Sequence, residues 1–156
     1  MDFRIEGLSP DLFQPLFSLD DEALAARGVR RQVADHKPGF PCRVSLEDAE
    51  PGEEVLLLNF EHNPADSPYR AAGPIFVRRS AESAFRGRPG EIPAMLRCRL
   101  LSVRAYDSAG MMRGAEVCDG KDLEETISKL FEAPSAAYLH VHNAKPGCFA
   151  CRVDRA

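Results

Sequence analysis

The sequence lacks any long apolar stretch. Apolar runs such as residues 55–58 end after four residues, whereas a helix that crosses a membrane needs about 18. Residues 2–6 carry acidic side chains where a secretory signal would have a basic segment followed by an apolar one. We therefore expect a cytoplasmic protein that does not insert into a membrane.

An excess of positive charge is also missing. The formal net charge is −4 at pH 7 with His counted as neutral, and such a chain is not drawn to the phosphate backbone of nucleic acid. We therefore expect no nucleic-acid partner. Lysine is scarce as well, because four of the 20 basic residues are Lys and sixteen are Arg. Arginine can hold a carboxylate or a phosphate with two parallel hydrogen bonds, so these charges suit a small anionic ligand.

A disulfide framework is not expected either. The chain has an odd number of cysteines: Cys42, Cys98, Cys118, Cys148 and Cys151. In a chain without an export signal we expect free thiols. With 156 residues, 44% apolar and 28% charged side chains, the chain can bury a core without disulfides or metals. We expect one domain over residues 1–156.

The apolar pattern predicts more strand than helix. Residues 123–132 carry a helical stripe formed by Leu123, Ile127, Leu130 and Phe131. Shorter helices are predicted to begin near Ser9 and Ser18, the second ending at Gly28. Strand patterns cover residues 29–34, 55–60, 75–77, 96–106, 111–118, 137–142 and 148–154. The sequence thus predicts an α+β fold, a single domain of mostly antiparallel β-sheet with two or three short helices.

The last two predicted strands carry the residues most suited to chemistry. Strand alternation sends Val141 and Cys151 toward the core and collects His140, His142, Cys148 and Arg152 on the opposite face. Keeping these sets apart requires His142 opposite Cys148 and His140 opposite Ala150, with residues 143–147 as a loop. In an extended strand Cys148 and Cys151 point to opposite faces, so they cannot act as a pair.

Four interpretations of this face remain open. A polar pocket lined by His140, His142, Cys148 and Arg152 could bind a small anionic metabolite. Alternatively, His140, His142 and Cys148 could hold zinc, or Cys148 could be a catalytic thiol activated by His142, so that the protein is a metal- or thiol-dependent enzyme. The two-histidine spacing resembles that of jelly-roll dioxygenases, which also need an acid and a distant third histidine, and the sequence identifies neither. The protein could instead be a protein-interaction module, or these could be ordinary strand residues.

A second candidate zone precedes the middle of the chain. Arg43 follows a loop rich in proline and glycine, and Tyr69 and Arg70 close a polar loop over residues 62–70. Either arginine could clamp an anionic ligand or tie down its own loop. We expect the loop over residues 62–70 to cover the pocket formed by the last two strands.

Four phrases of the sequence resemble a bacterial family known as a domain of unknown function. They are FPCRVSL at residues 40–46, SPYRAAGPIFV at 67–77, LSVRAYD at 101–107 and HVHNAKPGCF at 140–149. The resemblance spans nearly the whole chain and implies a single domain of bacterial origin. It implies no substrate, cofactor or catalytic residue.

Overall fold

Residues 2–156, the part of the chain that the computed structural model describes, contain eight β-strands, three short α-helices and three 3-10 helices, the first of which follows Ser9 as a short form of the helix predicted there. The strands are β1 (Phe3–Glu6), β2 (Arg30–Val33), β3 (Glu54–Asn63), β4 (Ala71–Arg78), β5 (Leu100–Tyr106), β6 (Met112–Asp119), β7 (Tyr138–Asn143) and β8 (Phe149–Arg155). The helices are α1 (Asp21–Ala26), α2 (Ala94–Arg97) and α3 (Leu123–Phe131). The predicted α+β class is confirmed.

The strands form two antiparallel sheets. The larger sheet has the order β1-β8-β7-β5-β6, and the smaller has the order β2-β3-β4. The larger sheet packs one face against α3, whose buried stripe of Leu123, Ile127 and Phe131 belongs to the same core cluster as Val141 and Val153. Burial of this stripe stabilises both elements, because each hides apolar surface that neither could hide alone.

A second core lies under the smaller sheet. Leu56 and Ile75 from that sheet share a buried cluster with Phe17 and Leu24 from the N-terminal third of the chain. Helix α1 begins later than predicted, because Asp20 rather than Ser18 caps it with a 2.8 Å hydrogen bond to the Ala23 amide. The predicted end at Gly28 is confirmed by its φ of 70°.

Three elements depart from the sequence-based prediction. Strand β1, which was not predicted, pairs with β8 at the edge of the larger sheet. Strand β3 continues to Asn63, past the predicted end at residue 60. The predicted hairpin of β5 and β6 is confirmed, although residues 96 and 97, the predicted start of β5, belong to α2 and the strand begins at Leu100. No helix within residues 2–156 has both the length and the apolar character to span a bilayer.

Candidate metal centre

Three histidines from the two sheets meet at one point. His140 and His142 project from the same face of β7, and His62 reaches them from the far end of β3. One nitrogen of each imidazole lies within 4.8 Å of a nitrogen of the other two. The ring centroid of His62 is 5.9 Å from that of His140 and 5.1 Å from that of His142.

An irregularity in β3 directs His62 toward this point. The pairing of β3 with β4 shifts between Phe60 and Asn63, so the strand is bulged where His62 stands. Bulges re-aim side chains and are frequent beside functional sites. Asn63 then fixes the strand end, because its Oδ1 accepts a 3.0 Å hydrogen bond from the Tyr138 hydroxyl of β7. This bond ties the smaller sheet to the strand that carries His140 and His142.

The predicted register of the last two strands is wrong. His140 pairs with Arg152 rather than Ala150, and His142 pairs with Phe149 rather than Cys148. Two features explain the shift: the turn is shorter than predicted, because the Asn143 amide donates to the Cys148 carbonyl at 2.9 Å, and a bulge leaves Ala150 without a partner and moves Phe149 to the histidine face. In this position the Phe149 ring stacks on the His62 ring, with ring centroids 5.1 Å apart and planes 5° from parallel.

The same bulge sends Cys148 away from the histidines. Its sulfur accepts hydrogen bonds from Arg43 Nη2 at 3.1 Å and from Asn143 Nδ2 at 3.4 Å. Among residues 2–156, His62 and not Cys148 completes the three-donor group with His140 and His142. The expectation that Cys151 lies in the core is confirmed, and burial raises the pKa of its thiol to about 12.

The remaining sequence-selected residues lie around the histidines without joining them. The Arg152 guanidinium stands 4.2 Å over the Tyr138 ring and bonds Asp154. Tyr69 contacts the edge of the Tyr106 ring, and Arg70 pairs with Glu61 at the surface. Arg43 is buried and belongs to the environment of Cys148.

Burial keeps the three imidazoles neutral. It lowers the pKa of His140 to about 3, with His142 and His62 contributing as neighbours. Burial also lowers the pKa of His142 to about 4, against an opposing hydrogen bond to the Gly147 carbonyl. The pKa of His62 is lowered by burial and by the nearby Arg104. Neutral imidazoles are the form in which histidine binds metals.

The hydrogen bonds show which nitrogen of His142 is free. Its Nδ1 lies 3.0 Å from the Gly147 carbonyl oxygen, and because a carbonyl can only accept, Nδ1 carries the proton and Nε2 a lone pair. This Nε2 is buried without a hydrogen-bond partner among the described residues, as are Nδ1 of His62 and Nδ1 of His140. Orienting a histidine by a hydrogen bond on its other nitrogen is typical of metal ligands.

Aromatic rings and one arginine complete the surroundings. The rings of Tyr106 and Tyr138 lie 5.3 and 5.2 Å from that of His140. Arg104 stands beside His140 on the paired strand β5, bonds the Ser102 hydroxyl at 3.3 Å and influences all three histidines electrostatically. Within residues 2–156 no carboxylate pairs with Arg104, so its charge is available to an anion at the site.

Sequence reasoning found two of the three histidines and missed the role of the third. His62 was assigned to a loop covering the pocket, because the strand pattern stops at Phe60 and the residues that follow are polar. The structure extends β3 to Asn63 and places His62 as the distant third histidine that the sequence could not identify. A strand that continues through polar residues because a partner sheet buries them leaves no apolar signal.

Comparison with known proteins supplies a family but no activity. No curated protein and no solved structure matches the chain. A family model described as "Protein of unknown function (DUF1203)" matches residues 39–155. The matched region includes Arg43, Cys148 and all three histidines of the candidate centre. Because the match covers most of the chain, the protein belongs to this family.

Proposed function

We propose that this protein binds a divalent transition-metal ion through His62, His140 and His142 and that the bound ion takes a small anionic ligand. The observation that carries the proposal is the convergence of three imidazoles, each of which has one buried nitrogen without a hydrogen-bond partner among the described residues. Leaving one such atom unsatisfied costs about 1–3 kcal/mol. A single ion would satisfy all three atoms at once.

The donor set favours a zinc-class ion. Imidazole nitrogen suits Zn, Cu, Ni and Fe, whereas Mg and Ca prefer oxygen. With Zn–N bonds of about 2.0–2.1 Å, tetrahedral ligand nitrogens lie about 3.3 Å apart. The three nitrogens here lie within 4.8 Å of one another, so a bound ion would draw them closer together. Three protein ligands leave a coordination position open, as in catalytic zinc sites.

Arg104 supports an anion as the outside ligand. A cation beside a metal site weakens metal binding unless negative charge balances it. Arg104 has no carboxylate partner within residues 2–156, and a carboxylate ligand on the metal would supply the missing charge while accepting hydrogen bonds from the guanidinium.

Metal content of the purified protein tests the proposal. We expect protein prepared without chelators to carry about one zinc-class ion per chain by elemental analysis. His62→Gln should lose the ion, whereas His36→Gln should keep it, because His36 is exposed and bonded to Asp35. Cys148→Ser should also keep it. Retention of the ion by His62→Gln, or its loss from Cys148→Ser, would show that other residues bind the metal.

The anion is tested separately on the cobalt-substituted protein. Acetate bound at the open position changes the visible absorption of cobalt, and we expect Arg104→Gln to weaken acetate binding several-fold while cobalt content stays unchanged. Arg113→Gln is the matched control, because Arg113 lies on the neighbouring strand β6 and pairs with Asp107 at the surface. Equal acetate affinity in both variants would show that Arg104 does not help to bind the anion.

We also propose that the protein acts in the bacterial cytoplasm. All five cysteines are free, and none is paired in a disulfide within the described residues. Free thiols persist in reducing compartments. Recovery of the protein with the periplasmic fraction of its native cells would contradict this location.

A further inference from the structure

A cavity of about 540 Å³ lies apart from the three histidines, none of which lines it. Its walls are mostly apolar and are formed by Leu57, Pro74, Phe76, Leu100 and Pro146. Its polar lining consists of Arg43, Cys98, Arg99, Asn143, Lys145 and Cys148. The volume suits a small molecule. The polar residues of the lining determine which kind of small molecule the cavity can bind.

Arg43 is a buried cation in this lining. It is 1% exposed, and its guanidinium donates to the Phe149 carbonyl at 2.7 Å, to the Pro41 carbonyl and to the Cys148 sulfur. No carboxylate pairs with it within residues 2–156. Burying an unpaired charge is costly, and the Cys148 sulfur is the one ionisable group that Arg43 contacts by a hydrogen bond. A thiolate there would neutralise the buried guanidinium.

The two cysteines in the cavity each contact an arginine, and these two arginines differ in their charge partners. The Cys148 sulfur accepts from Arg43 Nη2 at 3.1 Å and from Asn143 Nδ2 at 3.4 Å. The Cys98 sulfur donates to the Met95 carbonyl at 3.4 Å and accepts a longer contact of 3.5 Å from Arg99 Nη1, whose charge Asp48 already balances. Donors that converge on a sulfur favour its thiolate form, especially when one of them is charged. The same cavity therefore holds one sulfur beside a guanidinium that no carboxylate balances within residues 2–156 and one sulfur beside a guanidinium that Asp48 balances.

Asn143 and Lys145 leave polar capacity for an occupant. Asn143 is 5% exposed, and its Oδ1 has no hydrogen-bond partner among the described residues. Among the cations of the lining, Asp48 neutralises Arg99, and Arg43 contacts Cys148. Lys145 has no ion-pair partner within residues 2–156. An occupant that bears an anionic group and an N–H or O–H donor would satisfy both residues.

We propose that Cys148 is a nucleophile that reacts with small anionic electrophiles entering this cavity. The sulfur attacks an electrophilic carbon, a sulfur–carbon bond forms, and the leaving group departs with the electron pair of the bond that breaks. The thiol proton passes to solvent before the attack, so the sulfur supplies the electron pair of the new bond. Arg43 and Asn143 position and stabilise the sulfur, and Lys145 attracts the anion.

Competition between two alkylating probes tests this proposal. Iodoacetate and iodoacetamide have nearly the same shape and the same iodide leaving group, but iodoacetate is anionic. At pH 7 we expect iodoacetamide to modify Cys148 at least about 10-fold faster than the more exposed Cys98, as measured by peptide mass spectrometry. We also expect the rate ratio of iodoacetate to iodoacetamide to be higher at Cys148 than for free N-acetylcysteine.

Lys145→Gln provides the decisive variant. It should lower the iodoacetate-to-iodoacetamide ratio at Cys148 about 3–5-fold, the effect of one partly screened charge. Lys121→Gln is the control, since Lys121 is exposed and lies outside the cavity lining. Alkylation of Cys148 no faster than that of Cys98, or a ratio that Lys145→Gln does not alter, overturns the proposal. The comparison of the two cysteines uses the unaltered protein and does not depend on the folding of any variant.

Discussion

Zinc should stabilise this protein by an amount that can be worked out in advance. An ion that binds the folded chain at a free concentration 100 times its dissociation constant adds about 2.7 kcal/mol of stability. For a chain of 156 residues, each kcal/mol raises Tm by about 2–4 °C. We therefore expect zinc to raise the Tm of chelator-treated protein by about 5–10 °C.

The assay is a thermal unfolding series with increasing free zinc, buffered by a weak chelator. Tm should rise with the logarithm of free zinc above the dissociation constant, because each tenfold increase adds about 1.4 kcal/mol. His62→Gln should abolish the rise in Tm and His36→Gln should keep it, since His62 has a buried nitrogen at the site and His36 is exposed elsewhere. An equal rise in both variants would refute the reasoning, because the ion would then bind outside the three histidines.

Two further predictions concern stability without metal. In the metal-free protein the pKa values of His140 and His142 are lowered from 6.5 to about 3 and about 4, so below pH 6.5 the unfolded chain takes up protons that the folded chain does not. The free energy of unfolding should fall as pH drops from about 6.5 toward 4, by up to about 1.4 kcal/mol per pH unit for each histidine. A free energy of unfolding that urea denaturation finds unchanged between pH 7 and pH 5 would contradict this prediction. Asp48→Asn should lower the free energy of unfolding by about 3 kcal/mol, because it leaves Arg99 without its 2.9 Å partner in a pair whose side chains are 16% and 6% exposed. The control Asp21→Asn, at an exposed ion pair, should lower the free energy of unfolding by less than about 1 kcal/mol in the same urea assay. If both variants lost the same free energy of unfolding, burial would not be what makes the pair of Asp48 and Arg99 stabilising.

The elements that could be predicted from sequence are those whose pattern is local. Helix α3 follows from a stripe of apolar residues within nine positions, and the β5–β6 hairpin follows from two apolar runs separated by a turn. Strand β1 could not be predicted, because its four residues acquire their partner, β8, from the opposite end of the chain. Short strands depend on such distant pairing more than on their own composition.

In the candidate metal centre, too, only the residues whose pattern is local could be predicted from sequence. The spacing of His140 and His142 on one strand face is local, and sequence reasoning placed them together. His62 belongs to another sheet, and its direction depends on a bulge in β3. A bulge changes the pairing of two strands by one residue without a required residue type at the bulged position, so alternation alone could not place His62.

The bulge at Ala150 explains why the histidines and Cys148, expected to line one pocket, lie in two separate candidate sites. A regular ladder would continue from Val141 opposite Cys151 to His142 opposite Ala150, which would put Cys148 on the histidine face. By leaving Ala150 unpaired, the ladder exchanges the faces of Phe149 and Cys148. The apolar ring then stacks on His62 and shields the three nitrogens from water, while the sulfur turns to Arg43. One unpaired residue therefore separates nitrogen ligands suited to a metal from a sulfur suited to nucleophilic attack.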